Sequence, residues 1–418
     1  MNLLEVDTLQ QAVEKIKSSL SEIGFETEEV SLKEAYGRVL AGDIVSRENI
    51  PDFRRSTVDG YGVVAADTQG ASESVPSILE ITGQVLMGRP AEKEVHPGEC
   101  MYVPTGGMVP EGADAVVMIE HTEIFGETEG EEHPETGELM VYSSLPAGLN
   151  VVQTGEDIAR GDMVIPAGKK LTARDLAAMA ALGYPTVSVY RRPVVAIIST
   201  GDEVLPVEET PGMGQVRDIN SYGIMGLAME EGFEIGSMEL LKDEEKLLEE
   251  AVAKAMELAD IVLVSGGSSK GKKDATAKVI DSLADPGVLT HGIALKPGKP
   301  TIIGYDRASA TLLMGLPGHP AAAMMVFRLA LVRAMREVTG QREDIPVKAV
   351  AETNLAAAPG RATAVPVRLV DDGTEVRAVP VLGKSGAITT LTAADGFIFT
   401  ELNDEGIKAG QPVDVHLL

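Results

Sequence analysis

The apolar positions of the chain follow three rhythms in succession. Near the start, Ala12, Val13, Ile16 and Leu20 recur at helical spacing behind Asp7-Thr8, which predicts an amphipathic helix capped by that pair. Ser31-Leu-Lys-Glu34 has the form of a capping box and predicts a second short helix. From Ile50 to about Val152 the rhythm shortens. Runs such as Ile78 to Leu86, Ala115 to Glu120 and Leu139 to Tyr142 are split by Gly and Pro, the pattern of a small β-rich domain. Within it, the acidic, turn-rich "EIFGETEGEEHPETGEL" reads as a solvated hairpin tip and not as a metal site. A strand, a turn and a helix between Thr172 and Gly183 then restore the texture of the opening. The β-rich part is therefore expected to be inserted into a domain made from both flanks.

The third rhythm is alternation. Strands are predicted at Val194 to Ser199, Glu234 to Leu240, Ile261 to Ser265 and Thr311 to Met314. Helices are predicted between and after them, at Tyr222 to Glu231, Glu244 to Leu258, Ala275 to Leu283 and His319 to Arg336. Such alternation makes a parallel sheet covered by helices. From Pro346 to Leu418, short strands with Gly turns return, as in a small β-barrel or sandwich. The expected fold is multi-domain α/β plus β. Residues 1–47 and 153–190 form a split helical or mixed domain, 48–152 an inserted β-rich domain, 191–340 an α/β domain and 345–418 a β-barrel.

Composition narrows the function. A chain of 418 residues outgrows one core, and with no Trp and 4% aromatic residues its cores must be aliphatic. A formal net charge of −28 argues against nucleic-acid binding, which needs a basic face. Cys100, the single cysteine, forms no intrachain disulfide and reads as a packed residue of a reducing compartment. The first residues lack the basic start of a secretory signal. The most apolar helical stretch, Ala321 to Met335, carries Arg328 and Arg333 and is too short to span a bilayer. A cytoplasmic protein without membrane contact is expected.

Candidate chemistry follows from strand order. In an open α/β sheet, ligands bind beyond the carboxyl ends of the strands, where four polar loops are expected. These are Ser199-Thr200-Gly201-Asp202-Glu203, the Ser265-Gly266-Gly267 loop running to Asp274, Lys296-Pro297-Gly298-Lys299-Pro300, and Gly315-Leu-Pro317-Gly318-His319-Pro320. Glycines let backbone N–H groups approach an anion, and helix N-termini add a favourable dipole. No loop matches a P-loop or dinucleotide fingerprint. Between Ser265 and Pro300 six lysines face three aspartates, a local charge of +3 that suits an anionic ligand. Asp202, Glu203 and Asp274 are candidates to hold magnesium against a phosphate, with Asp202 the one best suited to capping a helix instead. The residues alone imply a magnesium-assisted enzyme acting on a phosphorylated or nucleotide-like anion.

The motifs "STVDGYGV", "PTGGMVPEGADAVV", "GLNVVQTGEDIARGD", "AIISTGDEV", "VSGGSSKGKKD", "LKPGKPT", "GLPGHP" and "SGAITTLTAADGFI" stand in this order along nearly the whole chain. They resemble those of the molybdopterin molybdenumtransferase family, MoeA, to which the E domains of gephyrin and its plant counterpart are related. The resemblance implies a central domain like MoaB and MogA and a homodimer. It implies hydrolysis of adenylylated molybdopterin with release of AMP, magnesium assistance, and insertion of molybdate or tungstate. It further implies partners among the other molybdenum cofactor biosynthesis proteins and the apo-enzymes that receive the product.

Carried onto this sequence, the resemblance gives Asp274 and Glu203 to metal-assisted cleavage, and Lys296, Lys299 and Pro300 to the oxyanion. Ser385 approaches from the C-terminal domain. Asp59, in a loop that also holds Arg54, Arg55, Ser56 and Thr57, would complete the site of a partner subunit. The chain departs from the family pattern at Lys270, His319, Ala322 and Pro366, where Arg368 lies two residues on and shares a strand face. Two other readings use the same fold: a non-catalytic pterin-binding scaffold or carrier, and the preceding adenylylation step, which the added β domains disfavour.

Overall fold

In the computed structural model, the apolar runs of the alternating region line up as one six-stranded sheet. The structure describes residues 6–125, 134–266, 270–383 and 387–418, the side chains of residues 270–274 excepted. Strands Glu234–Leu241, Val194–Thr200, Ile261–Gly266 and Thr311–Leu316 lie in that order and run parallel. Successive side chains of a strand point to opposite faces. Val195, Ile197, Ile261, Leu263, Leu312 and Met314 therefore enter one core, while Ala196, Ile198, Val262, Val264 and Leu313 enter another. Burial on both faces is why these runs are continuously apolar. Helices Leu9–Ile23, Asn220–Glu230 and Pro320–Val326 cover the first face, and Glu245–Met256 and Lys270–Leu283 the second.

Two strands were not expected. Ile302–Asp306 and Pro286–His291 extend the sheet antiparallel, so that the parallel sheet becomes a mixed one at that margin. Their short apolar runs, broken by Gly, carry no helix between them, and nothing in the spacing of residues separates them from loop.

The N-terminal helix has the expected buried face, with Ala12, Val13, Ile16 and Leu20 fully enclosed. Thr8 is its cap and makes the reciprocal capping box with Gln11. Asp7 instead takes Lys15 Nζ at 2.6 Å and the Thr290 hydroxyl. The helix expected at Ser31 to Glu34 does not form. Thr27–Ser31 is a strand paired with Thr186–Tyr190, and the Ser31 hydroxyl donates to the Glu34 carboxylate at 2.6 Å, so the two side chains satisfy each other. The His319-to-Arg336 segment is helical but uneven: Pro320–Val326 is α, Phe327–Val332 is π, and Arg333–Val338 is α again.

The C-terminal strands close into a ring. Ala362–Asp371 pairs with Val376–Pro380, which meets Val347–Ala351, then Pro412–Leu417, then Gly396–Thr400, which returns to Ala362–Asp371. Leu295–Lys296, from the α/β part, adds itself in parallel to Ala362 and Thr363.

The chain forms two compact units, residues 1–42 with 167–172 and 186–418, and residues 43–166 with 173–185. The second unit holds a six-stranded sheet in the order Ala115–Met118, Gly60–Val63, Glu99–Val103, Ser77–Gln84, Gly137–Val141 and Thr122–Phe125. The central part of the acidic tip expected as a solvated hairpin lies outside the described residues. Tyr61 and Cys100 sit in the core of this sheet, and Tyr61 packs edge-on against Tyr102 at 5.6 Å between centroids.

Burial pushes both the Tyr61 hydroxyl and the Cys100 thiol up to about 12, from ordinary values of 10.0 and 9.0. The folded unit thus keeps protons that the unfolded chain gives up above about pH 9, so stability is full below that pH and falls as pH rises toward 12. Melting followed by circular dichroism is expected to be flat from pH 7 to 8.5 and to decline above 9. The Tyr61 hydroxyl is buried without a hydrogen-bond partner among the described residues, so Tyr61→Phe should leave stability equal or raise it by up to about 1 kcal/mol, and should shallow the alkaline decline.

Candidate active site

At the carboxyl edge of the parallel strands, three polar loops touch one another. Gly266 has a φ of +149° and lies so close to Thr200 that a Cβ would fall within 3.0 Å of its carbonyl and hydroxyl oxygens. Gly318 packs on Gly266, its Cβ position being 3.7 Å from the Gly266 carbonyl carbon. Asn220, at the start of its helix, ties two of the loops together: its amide donates to Ser265 Oγ at 2.6 Å and to the Gly318 carbonyl at 3.0 Å. Register places the fourth loop at the same edge. Ile302 pairs with Gly315, and Leu316 with Ser265, so Lys296 to Pro300, directly before Ile302, open at the level where the parallel strands end.

That lysine loop is held from both sides. Gly298, with φ +134°, packs against Val326 of the helix that follows Gly318, and Thr301 Oγ1 donates to the Gly298 carbonyl at 2.7 Å. Leu295–Lys296 joins the barrel through Ala362 and Thr363. Lys296 and Lys299 project as exposed cations with no hydrogen-bond or ion-pair partner among the described residues. In a chain of net charge −28, two unpaired lysines on a glycine-lined edge make a local seat for an anion.

The carboxylates divide by role. Asp202 Oδ1 accepts from the backbone N–H of Asp243 at 3.2 Å, a tie to the loop before the Glu245–Met256 helix and not a cap of it, since Glu244 is the cap residue. Glu203 is exposed beside Gly201 and its carboxylate has no partner among the described residues, so the carboxylate oxygens are open to a ligand. Among the described residues no three His, Cys, Asp or Glu side chains gather as a metal site. Glu203 fits a magnesium ion that takes one or two carboxylates and leaves its other positions to water and phosphate. The Asp274 side chain, Gly267 and Ser385 lie outside the described residues. The helix bearing Asp274 starts at this edge, and Thr276 in its second turn lies against Gly315.

Residue patterns missed a buried layer beneath the loops. Asp218 accepts from Ser199 Oγ at 3.2 Å and from the Ser221 N–H at 3.1 Å. Asn220 Oδ1 and Ser221 Oγ are buried without partners among the described residues, which costs free energy unless something else supplies a hydrogen bond. The signal was present in Asp218-Ile-Asn-Ser221, a polar cluster opening an otherwise apolar helix. His319 occupies the cap position of the Pro320 helix, where its carbonyl accepts from Ala322 and Ala323. Arg368 is exposed on the strand that carries Pro366.

Asp59 belongs to the smaller unit, where two of the quoted motifs form a single structure. Its Oδ1 accepts from Thr105 N–H at 2.8 Å, Ser56 and Gly106–Gly107 exchange backbone hydrogen bonds, and Val109 N–H donates to the Arg54 carbonyl. The Arg54 guanidinium holds the Ala113 and Pro110 carbonyls at 2.7 and 3.1 Å. Arg54, Ser56 and Gly60 are thus structural members of the loop. Asp59 is exposed, and its Oδ2 has no partner among the described residues.

Comparison with known proteins gives the family. Family models match along the chain: the MoeA N-terminal region (domain I and II) over residues 7–183, the probable molybdopterin binding domain over 196–337, and the MoeA C-terminal region (domain IV) over 348–418. The molybdopterin molybdenumtransferase of Bacillus subtilis is 33% identical, covering 94% of this chain and 90% of its own length. The chain belongs to the MoeA family of molybdopterin molybdenumtransferases. Another family member, from Haemophilus influenzae, is also 33% identical, over 85% of this chain and 84% of its own. The crystal structure of a MoeA protein from Pyrococcus horikosii superposes with a TM-score of 0.80 at 35% identity, covering 99% of both chains. As a MoeA-type transferase this chain acts in molybdenum cofactor biosynthesis. No helix among the described residues is long and apolar enough to cross a membrane.

Proposed function

We propose that the chain binds adenylylated molybdopterin at the carboxyl edge of the central sheet, cleaves its phosphoanhydride with release of AMP, and delivers molybdate or tungstate to the dithiolene. The observation that carries this reading is the meeting of the Thr200, Gly266 and Gly318 loops beside Lys296 and Lys299, whose ammonium groups have no partner among the described residues. Glycine backbones let the N–H groups of that edge approach phosphate oxygens, and the Lys270–Leu283 helix turns its positive end toward them. Glu203 and Asp274 would hold magnesium, which offsets the charge of the phosphates when bound. Lys296 and Lys299 attract and orient the incoming oxyanion, with Pro300 shaping the turn and Ser385 contributed by the barrel domain. The test is incubation with adenylylated molybdopterin, magnesium and each oxyanion, following AMP and metal-loaded cofactor. Asp274→Asn is expected to bind the adenylylated pterin at unchanged affinity and to lose AMP release by roughly 100-fold or more, as for removal of a charge-stabilising group. Unchanged release would remove Asp274 from this role.

The functional assembly we propose is a homodimer in the cytoplasm that passes its product to the apo-enzymes. Ile219, just before the Asn220–Glu230 helix, and Tyr222 and Met229 within it leave apolar surface on one side of that helix, as expected of a face covered in an assembly. Asp59 of one copy would then serve the other copy's site. Mixed dimers of Asp59→Ala and Asp274→Asn chains, each inactive alone, should recover one native site of the two in each heterodimer. Verified heterodimers with no recovery would overturn the sharing.

A further inference from the structure

Well along the helix from Pro317-Gly318, a cavity of about 320 Å³ opens between the π-helical segment and the barrel. Its walls mix two chemistries. Phe397, Phe399 and Leu329 give it an apolar side, and Phe397 is stacked on His416 with centroids 5.5 Å apart and planes 21° from parallel. Three arginines also line it. Arg333 is met by Gln10 at 3.1 Å and Glu337 at 3.5 Å, and Arg336 by Glu231 at 3.1 Å and Asp344 at 2.7 Å. Arg328 is the exception. It is half-buried and has no hydrogen bond or ion pair among the described residues, although carboxylates outnumber cationic side chains almost two to one in the chain. Arg328 also stands in Phe327–Val332, and π segments are rare and concentrate where function needs a side chain re-aimed.

We propose that this cavity is a binding site for a small organic monoanion with a planar apolar body, such as an aromatic carboxylate. The carboxylate takes the Arg328 guanidinium in a two-pronged, charge-assisted contact, and the ring lies along the Phe397, Phe399 and His416 wall. The volume falls at the lower end of the range for small-molecule sites, enough for a one- or two-ring molecule. Glu401, exposed at the rim without a side-chain ion pair among the described residues, and Glu343 repel a second negative charge, so the site selects a monoanion over a phosphate ester.

The test is calorimetric titration of the full chain with three probes: indole-3-acetate, the uncharged indole-3-ethanol and the dianionic phenyl phosphate. Indole-3-acetate is expected to bind saturably below millimolar concentration, and the other two at least about tenfold more weakly. Arg328→Gln should weaken indole-3-acetate by about tenfold or more, Arg328→Lys should restore part of the affinity, and Phe399→Ala should weaken all three probes together. Circular dichroism of each variant, matching the native chain, keeps loss of binding distinct from loss of fold. Absence of saturable binding to the native chain, or equal affinity in folded Arg328→Gln, would overturn the proposal. Phenyl phosphate binding as tightly as indole-3-acetate would overturn its choice of a monoanion.

Discussion

Gly60→Ala is expected to unfold the β-rich unit or to destabilise it by at least about 3 kcal/mol, the upper range for overpacked cores. Gly60 begins a central strand that pairs with Glu99–Val103 on one side and Ala115–Met118 on the other. A Cβ there would fall within 3.0 Å of the Val117 carbonyl oxygen and of a Val116 methyl group. The obstacle is backbone held in a ladder, so no rotamer change relieves it, and the two strands must part. Parting them would disturb the core around Tyr61, Val63 and Val117 and move Asp59, whose own carbonyl accepts from Ile119 N–H across the same pair. Denaturant titration followed by far-ultraviolet dichroism would measure the loss. A variant with native midpoint would show that the strand pair tolerates the added methyl.

Gly266→Ala is expected to act on catalysis more than on folding. The same rule applies at the last pair of a ladder and not inside one: the methyl meets Thr200 O and Oγ1, and φ of +149° disfavours any side chain. Since Gly266 closes its strand, the loops beyond it can shift without breaking the sheet. Displacing them by about 1 Å from Gly318 and Thr200 should reduce formation of metal-loaded cofactor by roughly 100-fold, while the thermal midpoint moves by only a few degrees. Steady-state assay beside a melting curve separates the two effects. Full activity would mean that contact between Thr200 and the Ser265-Gly266 loop is unnecessary.

Much of this architecture was legible because burial on two faces leaves long apolar runs, and Val194–Thr200 and Ile261–Gly266 advertise themselves in that way. The closed barrel was visible only as short strands with Gly turns, since ring closure depends on pairings such as Ala362–Asp371 with Gly396–Thr400, far apart in sequence. Pro286–His291 and Ile302–Asp306 stayed hidden because an antiparallel addition needs no helix to announce it. Ser31 to Glu34 misled because a local capping pattern was overruled by a strand partner more than 150 residues away.

At the candidate site, glycines and lysines stood out in the sequence because residue type and position alone mark a loop suited to an anion. Asp218 and Asn220 were not, because their importance lies in what they brace: a carboxylate under Ser199 and an amide bridging Ser265 and Gly318 look like ordinary polar residues until the loops are folded together.

The C-terminal ring has one further property. A closed circuit of five strands has no spare margin, so removing any member creates two raw ones at once. Loss of Pro412–Leu417 would leave Val347–Ala351 and Gly396–Thr400 each with an unsatisfied side. The slack would travel around the circuit to Ala362 and Thr363, the clasp that fastens Leu295–Lys296. A strand far along the chain from the proposed pterin site would thereby govern how firmly its cationic arm is anchored.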